Sequence, residues 1–199
     1  MELDERDLVE RVRHGDAAAL RRVVESYLPQ VLRAARGAGL PPEEAEDVTQ
    51  VTFMTFLQTL DRFEGRSRVR TWIFGILYRK IAERRRQRGR DDAFEDVDQV
   101  VESRFDAQGH WSRPPAPPDQ ATFDRQLREH LDHCMEELTD RHRMAFVLRE
   151  MEGLESGEIC NILEISRTNL GVLLHRARNA LRECLEARGI DRGGDAQLS

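Results

Sequence analysis

The sequence predicts an all-α protein of two small helical domains joined by an acidic, Pro-rich linker, and three observations carry the prediction. Apolar residues recur at helical spacing along most of the chain, and nowhere do apolar and polar residues alternate long enough for a strand. From Asp91 to Pro118 this periodicity fails, acidic residues accumulate, and the stretch ends on Pro114, Pro115, Pro117 and Pro118. A structureless connection of that length is unusual within one compact domain, so it reads as a link between two. Charge is zoned to match: residues 61–90 hold eleven Arg or Lys against three Asp or Glu, net +8, in a chain whose total is −6. The predicted organisation is a first domain at 1–90, a linker at 91–119, a second domain at 120–188 and a tail at 189–199.

In order along the chain, Asp4 caps a short helix carrying Leu8, Val9 and Val12 that stops near Gly15. Asp16 starts a second helix, with Ala19, Leu20, Val23, Val24, Tyr27, Leu28, Val31 and Leu32 at helical spacing, and Pro29 is expected to kink or break it. Gly37 and Gly39 end that element. Pro41 and Pro42 followed by Glu43, Glu44 and Glu46 open a third, because proline is tolerated in a first turn and carboxylates favour the positive end of the helix dipole. This helix runs to about Leu60 with a core stripe of Ala45, Val48, Thr52, Phe53, Phe56, Leu57 and Leu60. Its other face carries Asp47, Gln50, Val51, Met54 and Gln58 at i, i+3, i+4, i+7 and i+11. Two readings fit that mixed face: a docking surface for a protein partner, or ordinary scattered surface apolars.

A Gly-containing loop, Phe63 to Arg70, leads into a fourth helix from about Thr71 to Arg88, apolar over more than half its surface. The strip left over is Trp72, Gly75, Arg79, Glu83 and Arg86, which puts Trp72 at the edge of the core or outside it; simple core packing is the alternative. Beyond the linker, in which short helical turns around Val97 to Phe105 remain open, Phe123, Leu127, Leu131 and Cys134/Met135 mark one helix. Met144, Ala145, Val147 and Leu148 mark another, ending near Gly153. A compact pair follows: Glu155 to Leu163, a tight turn through Glu164 to Ser166, and a long helix from Arg167 to about Ala187 with Ser166 as its N-cap.

Basic side chains interleaved with Trp72, Phe74 and Tyr78 suit a polyanion with stackable bases, since phosphates take the arginines and ring faces take unpaired bases. The last two helices suit a duplex. Leu170, Leu173, Leu174, Ala177 and Leu181 form an inward stripe, and the opposite face presents Thr168, Val172, His175, Arg176 and Asn179. A short helix, a three-residue turn and an amphipathic second helix make the helix-turn-helix plan, although a helical hairpin used only for packing shares the Leu stripe.

Several classes are excluded or left without support. No apolar run approaches the ~20 residues that span a bilayer, and the acidic N-terminus lacks a signal-peptide pattern, so a cytoplasmic location and no membrane insertion are expected. Cys134, Cys160 and Cys184 form no CxxC pair, and their odd number argues against a disulfide framework; buried small hydrophobes is the favoured reading. His130, His133, Cys134 and His142 are better read as a polar helix face than as a metal site, and no metal or cofactor is expected. No paired acid/base constellation or phosphate-binding Gly loop supports an enzyme.

Beyond these readings, Asp47-Val-Thr-Gln-Val-Thr-Phe53, Asp61-Arg-Phe63, Arg70-Thr-Trp-Ile-Phe74, Glu158-Ile-Cys-Asn-Ile-Leu-Glu-Ile-Ser166 and His175-Arg-Ala-Arg178 resemble conserved regions 2 and 4 of extracytoplasmic-function sigma factors of the sigma-70 family. The resemblance implies a region 2 bundle and a region 4 helix-turn-helix in a subunit that binds core RNA polymerase, at its β′ clamp and β flap, and recognises promoter DNA. It places Asp47, Gln50, Val51, Met54 and Gln58 at the polymerase clamp. Phe63, Arg66, Arg68, Arg70, Trp72, Arg79, Lys80, Arg84 and Arg86 fall at the −10 element, and Arg167, Thr168, Gly171, Val172, His175, Arg176 and Arg178 at the −35 element. It also suggests control by an anti-sigma factor. Val51 stands where the family is often acidic, Arg79 where asparagine is common, and Gly171 and Val172 where Arg or Ser is more usual, so the promoter sequence does not carry over. The competing function is a stand-alone helix-turn-helix regulator, which leaves the 47–58 face and the Trp72 strip without work.

Overall fold

A computed structural model describes residues 5–87 and 130–189, whose regular structure is helical, with no strand among the described residues. The first half contains α1 (Glu5–Arg13), α2 (Ala17–Gly37), α3 (Pro42–Thr59), a 3-10 turn at Leu60–Arg62, and α4 (Val69–Gln87). The second half holds α5, described over 130–136, then α6 (Asp140–Phe146), a π turn at Val147–Met151, α7 (Ser156–Leu163) and α8 (Arg167–Ala187). Asp4, the 91–119 linker and the question of helical turns around Val97 to Phe105, Arg88 and the tail from residue 190 lie outside the described residues.

Local chemistry sets the helix starts. Asp16 accepts hydrogen bonds from the Ala18 and Ala19 amides at 2.9 and 3.1 Å, while Arg11 holds its other oxygen at 2.8 Å. Arg11 holds the Asp16 carboxyl below its usual range, with the capping amides adding to the effect. Ser166 caps α8 by accepting from the Asn169 amide at 3.1 Å, as the sequence predicts.

The core stripes are largely those read from periodicity, with two corrections. Pro29 does not break α2, which runs unbroken from Ala17 to Gly37 because Val23, Val31, Ala34 and Ala35 on both sides of it are fully buried. Their packing outweighs the lost backbone hydrogen bond. Leu57 is not a core residue: it is 41% exposed, while Thr49 takes an inward place on α3. Leu57 lies three residues beyond Met54 and so joins the mixed face instead of the stripe.

The cysteines also depart from expectation. Cys134 on α5 and Cys184 near the end of α8 form a disulfide, with Cα atoms 5.8 Å apart across a sequence separation of 50, and Cys160 alone is free. Spacing could not disclose this pairing, because it depends on the return of α8 past α5.

The two halves pack together. At the end of α2, Gly37 leaves room for Val147 and Met151: an added Cβ would lie 3.1 Å from Val147 Cγ2 and 3.3 Å from Met151 Sδ. Gly39 has φ +83°, a region that favours glycine, and the Arg143 guanidinium covers it so closely that a Cβ would meet Nη1 at 2.0 Å. Arg143 is itself buried and donates to the carbonyls of Ala38, Glu136 and Leu138 at 3.2, 2.7 and 3.0 Å, which offsets part of the cost of burying a guanidinium. Arg85 of α4 donates to the same Ala38 carbonyl and pairs with Asp140.

Candidate functional site

Three surfaces collect the residues singled out by the sequence. On α3, Asp47, Gln50, Val51, Met54 and Gln58 are all exposed, and Leu57 extends the apolar part to three neighbouring side chains. A cleft of about 340 Å³ runs beside this face between α3 and α4, floored by Val48 and bordered by Lys80, Glu83 and Arg84. Arg84 bridges the two helices through Asp47 at 3.4 Å and Glu44 at 3.8 Å. Lys80 reaches Glu83 at 2.9 Å and holds its carboxyl below the usual range by a hydrogen bond and by charge. Lys80 and Arg84 therefore border the α3 face, not the Trp72 strip.

The loop from Phe63 into α4 is positioned from outside. Arg13 donates to the Leu60 carbonyl at 2.8 Å and to the Phe63 carbonyl, fastening the loop to α1. Phe63 is buried, and its ring meets half-buried Trp72 edge-on at 5.5 Å between centroids. Gly65 has φ +69° at the tip, and Arg66 and Arg68 are exposed beyond it. Arg86 is exposed near the end of α4.

Arg70 and Arg79 face the second half of the chain. Arg70 lies 5.5 Å over the Phe74 ring, donates to the Glu152 carbonyl, and approaches the Glu152 carboxylate at 3.6 Å. Arg33 of α2 grips the same carboxylate through two hydrogen bonds of 2.7 and 2.9 Å, so the fully enclosed Glu152 side chain has two cationic partners. Thr71 donates to Glu158 at 2.7 Å, and Arg79 pairs with Glu164 at 3.1 Å. Burial pushes the Glu158 carboxyl up, but hydrogen bonds from Thr71 and the Glu155 amide, with Arg68 and Arg70 nearby, outweigh it and hold the group below its usual range.

The third surface is α8. Arg167, Thr168 and Gly171 are exposed, and Val172, His175 and Arg176 are half-exposed on the side away from the buried Leu170, Leu173, Leu174, Ala177 and Leu181. Arg178 is exposed but paired with Glu150. Burial, with the Arg176 charge adding to it, pushes His142 below its usual range. A cleft of about 1020 Å³ separates the 63–68 loop from the start of α7 and α8; Arg66, Arg68 and Arg167 look into it, with free Cys160 on its wall.

Among these residues, Arg13, Arg33, Thr71, Glu152 and Glu158 were not legible as site residues. Their only sequence signal was the complementary charge of the two halves. No cluster of His, Cys, Asp and Glu suited to a metal occurs among the described residues, and no described helix is long and apolar enough to cross a membrane.

Residues 23–91 match the family Sigma-70 region 2, and residues 128–181 match Sigma-70, region 4. The chain is 32% identical over 152 residues to the "Probable RNA polymerase sigma factor" of Haemophilus influenzae, covering 72% of this chain and 78% of that protein. The chain belongs to the sigma-70 family of RNA polymerase sigma factors. Its group is the extracytoplasmic-function one: it is 29% identical over 180 residues to the ECF RNA polymerase sigma-E factor of Escherichia coli K12, covering 90% and 93% of the two chains. Among solved structures, CnrH in complex with the cytosolic domain of CnrY shares the fold with a TM-score of 0.67 at 21% identity, covering 92% of this sigma factor and 97% of that chain. RpoE of Bartonella quintana, solved with the anti-sigma factor NepR, aligns with a TM-score of 0.62 at 25% identity over 83% and 96% of the chains. The family is one of transcription initiation factors and not of enzymes.

Proposed function

We propose that this sigma factor divides promoter recognition between its two halves, with residues 1–90 engaging core polymerase and the −10 element and residues 120–188 the −35 element. As an alternative sigma factor it binds core RNA polymerase and directs transcription initiation at promoters. The observation that carries the division of labour is the pairing of two family regions, in order, with an α3 face that is left exposed. In this reading Val51, Met54 and Leu57 supply an apolar centre for the polymerase clamp, ringed by Asp47, Gln50 and Gln58. Arg66, Arg68, Arg70, Arg79 and Arg86 hold the backbone of the melted strand while half-buried Trp72, braced by Phe63, offers a ring face to its bases. Along α8, Arg167, Thr168, Val172, His175 and Arg176 line the side that enters the major groove.

Polymerase sets the spacing of the two contacts, so each can be weak alone. An anti-sigma factor controls access to these surfaces, in keeping with the partners of the CnrH and RpoE structures, and the protein acts in the cytoplasm. The −6 linker fits a basic channel of the polymerase. Run-off transcription from a genomic fragment library with purified core enzyme tests the reading. Discrete promoter-dependent transcripts are expected, and absence of core binding overturns it. Trp72→Ala or Arg79→Ala is expected to impair open-complex formation more than core binding; equal loss of both makes that segment scaffold.

A further inference from the structure

We propose that Gly171 is a close-approach point for promoter DNA: with no side chain there, the backbone of α8 lies directly against a thymine methyl in the major groove, and this contact sets a base preference within the −35 element. The proposal rests on the −35 role given above to α8.

Glycine is costly inside a helix. Relative to alanine it lowers the helix-forming equilibrium about fivefold, because its backbone loses more freedom on folding. Gly37 has a neighbour that needs the space, since an added Cβ would lie 3.1 Å from Val147 Cγ2. Gly171 has no such neighbour. It is exposed, it stands inside α8 without a left-handed φ, and an added Cβ would meet nothing within 4 Å. Nothing among the described residues uses its missing side chain, which directs attention to what α8 binds.

One other glycine inside a described helix shares these properties. It is Gly75 of α4, which lies between Trp72 and Arg79 on the strip assigned to the −10 element. Gly157 differs, standing in the first turn of α7 with the Arg167 guanidinium 3.9 Å from where its Cβ would be. Both glycines without an internal reason therefore fall on faces assigned to DNA.

The side chains around Gly171 select the base. Thr168 is exposed one turn before it and Val172 is half-exposed beside it, so the surface here is made of Cα–H and methyl groups with one hydroxyl. His175, one turn after, is engaged with the Asn179 amide at 3.2 Å. Guanine and adenine are read by bidentate side chains such as Arg and Asn, and neither type stands at 171 or 172. An apolar patch matches the C5-methyl of thymine instead. A methyl added at 171 and the methyl of that thymine then claim the same space.

The test uses holoenzyme assembled from core polymerase and the full-length chain, on a promoter recovered in the run-off screen. Each thymine of its −35 element is replaced in turn by deoxyuridine, which removes only the methyl, and promoter affinity is read by mobility shift. The variants are Gly171→Ala and Gly171→Leu, with Ala180→Leu, exposed further along α8, as the control for added bulk.

On the unmodified promoter Gly171→Ala is expected to bind about fivefold more weakly and Gly171→Leu more weakly still, with Ala180→Leu unchanged. The urea midpoint of Gly171→Ala is expected to rise by about 0.3–1 M, so that function falls as stability grows. At one position deoxyuridine is expected to weaken the starting chain about fourfold, the worth of one methyl group, and to bring Gly171→Ala to within about twofold of the starting chain on the same template. Undiminished binding by Gly171→Ala overturns the proposal, as does a lowered midpoint, an equal loss in Ala180→Leu, or the lack of any deoxyuridine position that restores Gly171→Ala. If the starting chain itself yields no promoter-dependent transcript, the sigma-factor reading fails; if it does and Gly171→Ala matches it, only this contact is lost.

Discussion

Removing the Cys134–Cys184 disulfide is expected to take away a large part of the stability of the α5–α8 unit. The bridge joins residues separated by 50 positions, and the loop it closes contains α6, the π turn, α7 and most of α8. Chain-entropy reasoning for a loop of that length gives about 4 kcal/mol at room temperature, and strain or residual structure in the unfolded state brings typical values to roughly 2–4 kcal/mol. A unit of this size has a total stability of only about 3–9 kcal/mol at ordinary per-residue values. Reduction therefore leaves it with a thin margin.

The assay is urea unfolding followed by far-UV circular dichroism, with and without reductant, on the full chain and on Cys134→Ser with Cys184→Ser. Thiol titration in denaturant fixes the state of each sample: one reactive thiol, from Cys160, in the oxidised chain and three after reduction. The transition involving α8 is expected to move down by about 1–3 M urea on reduction, at the slopes usual for small domains, and the double serine variant is expected to ignore reductant. An unchanged midpoint in a sample that titrates three thiols refutes the reasoning, because loop closure would then contribute nothing.

Four other outcomes are open to measurement. Ser166→Ala removes the acceptor of the Asn169 amide and is expected to destabilise the α8 unit by about 1 kcal/mol, measured by the same urea curves. Met54→Glu, at a side chain that is 52% exposed, is expected to leave folding stability within about 0.5 kcal/mol and to weaken core polymerase binding about tenfold in a fluorescence titration. Because Glu158 is held below its usual range in the folded chain, its contribution to stability is present above the ordinary glutamate pKa of about 4.3 and is lost as pH falls through the lowered value; urea midpoints are expected to fall in that acidic window, less so in Glu158→Gln. Arg66→Ala with Arg68→Ala, at side chains exposed in the 63–68 loop, is expected to flatten the salt dependence of single-strand DNA binding by about 1.4 in the log–log slope.

The parts of this molecule that were legible in sequence are those fixed by local chemistry. Ser166 is a good cap wherever a helix follows it, and the Leu170–Leu181 stripe has no stable arrangement except against a core. The exposed α3 face was legible for the same reason, since i, i+4 and i+7 positions share a side whatever else the chain does. Pro29 failed as a breaker because its cost of a few kcal/mol is local, while the burial of Val23, Val31, Ala34 and Ala35 that opposes it comes from α3 and α4. The Cys134–Cys184 bridge and the enclosure of Glu152 by Arg33 and Arg70 were not legible at all. Each joins residues dozens of positions apart, and sequence spacing says nothing of which charge meets which.

The net charge of the 61–90 segment thus overstates what it offers to DNA at any one moment. Arg85 is committed to Asp140 and to the Ala38 carbonyl, and Arg84 to the carboxylates of α3. Arg70 and Arg79 are held by glutamates of the second half, while Arg66, Arg68 and Arg86 stand exposed. One basic stretch therefore serves three purposes: fixing the fold, closing the interface and meeting a polyanion.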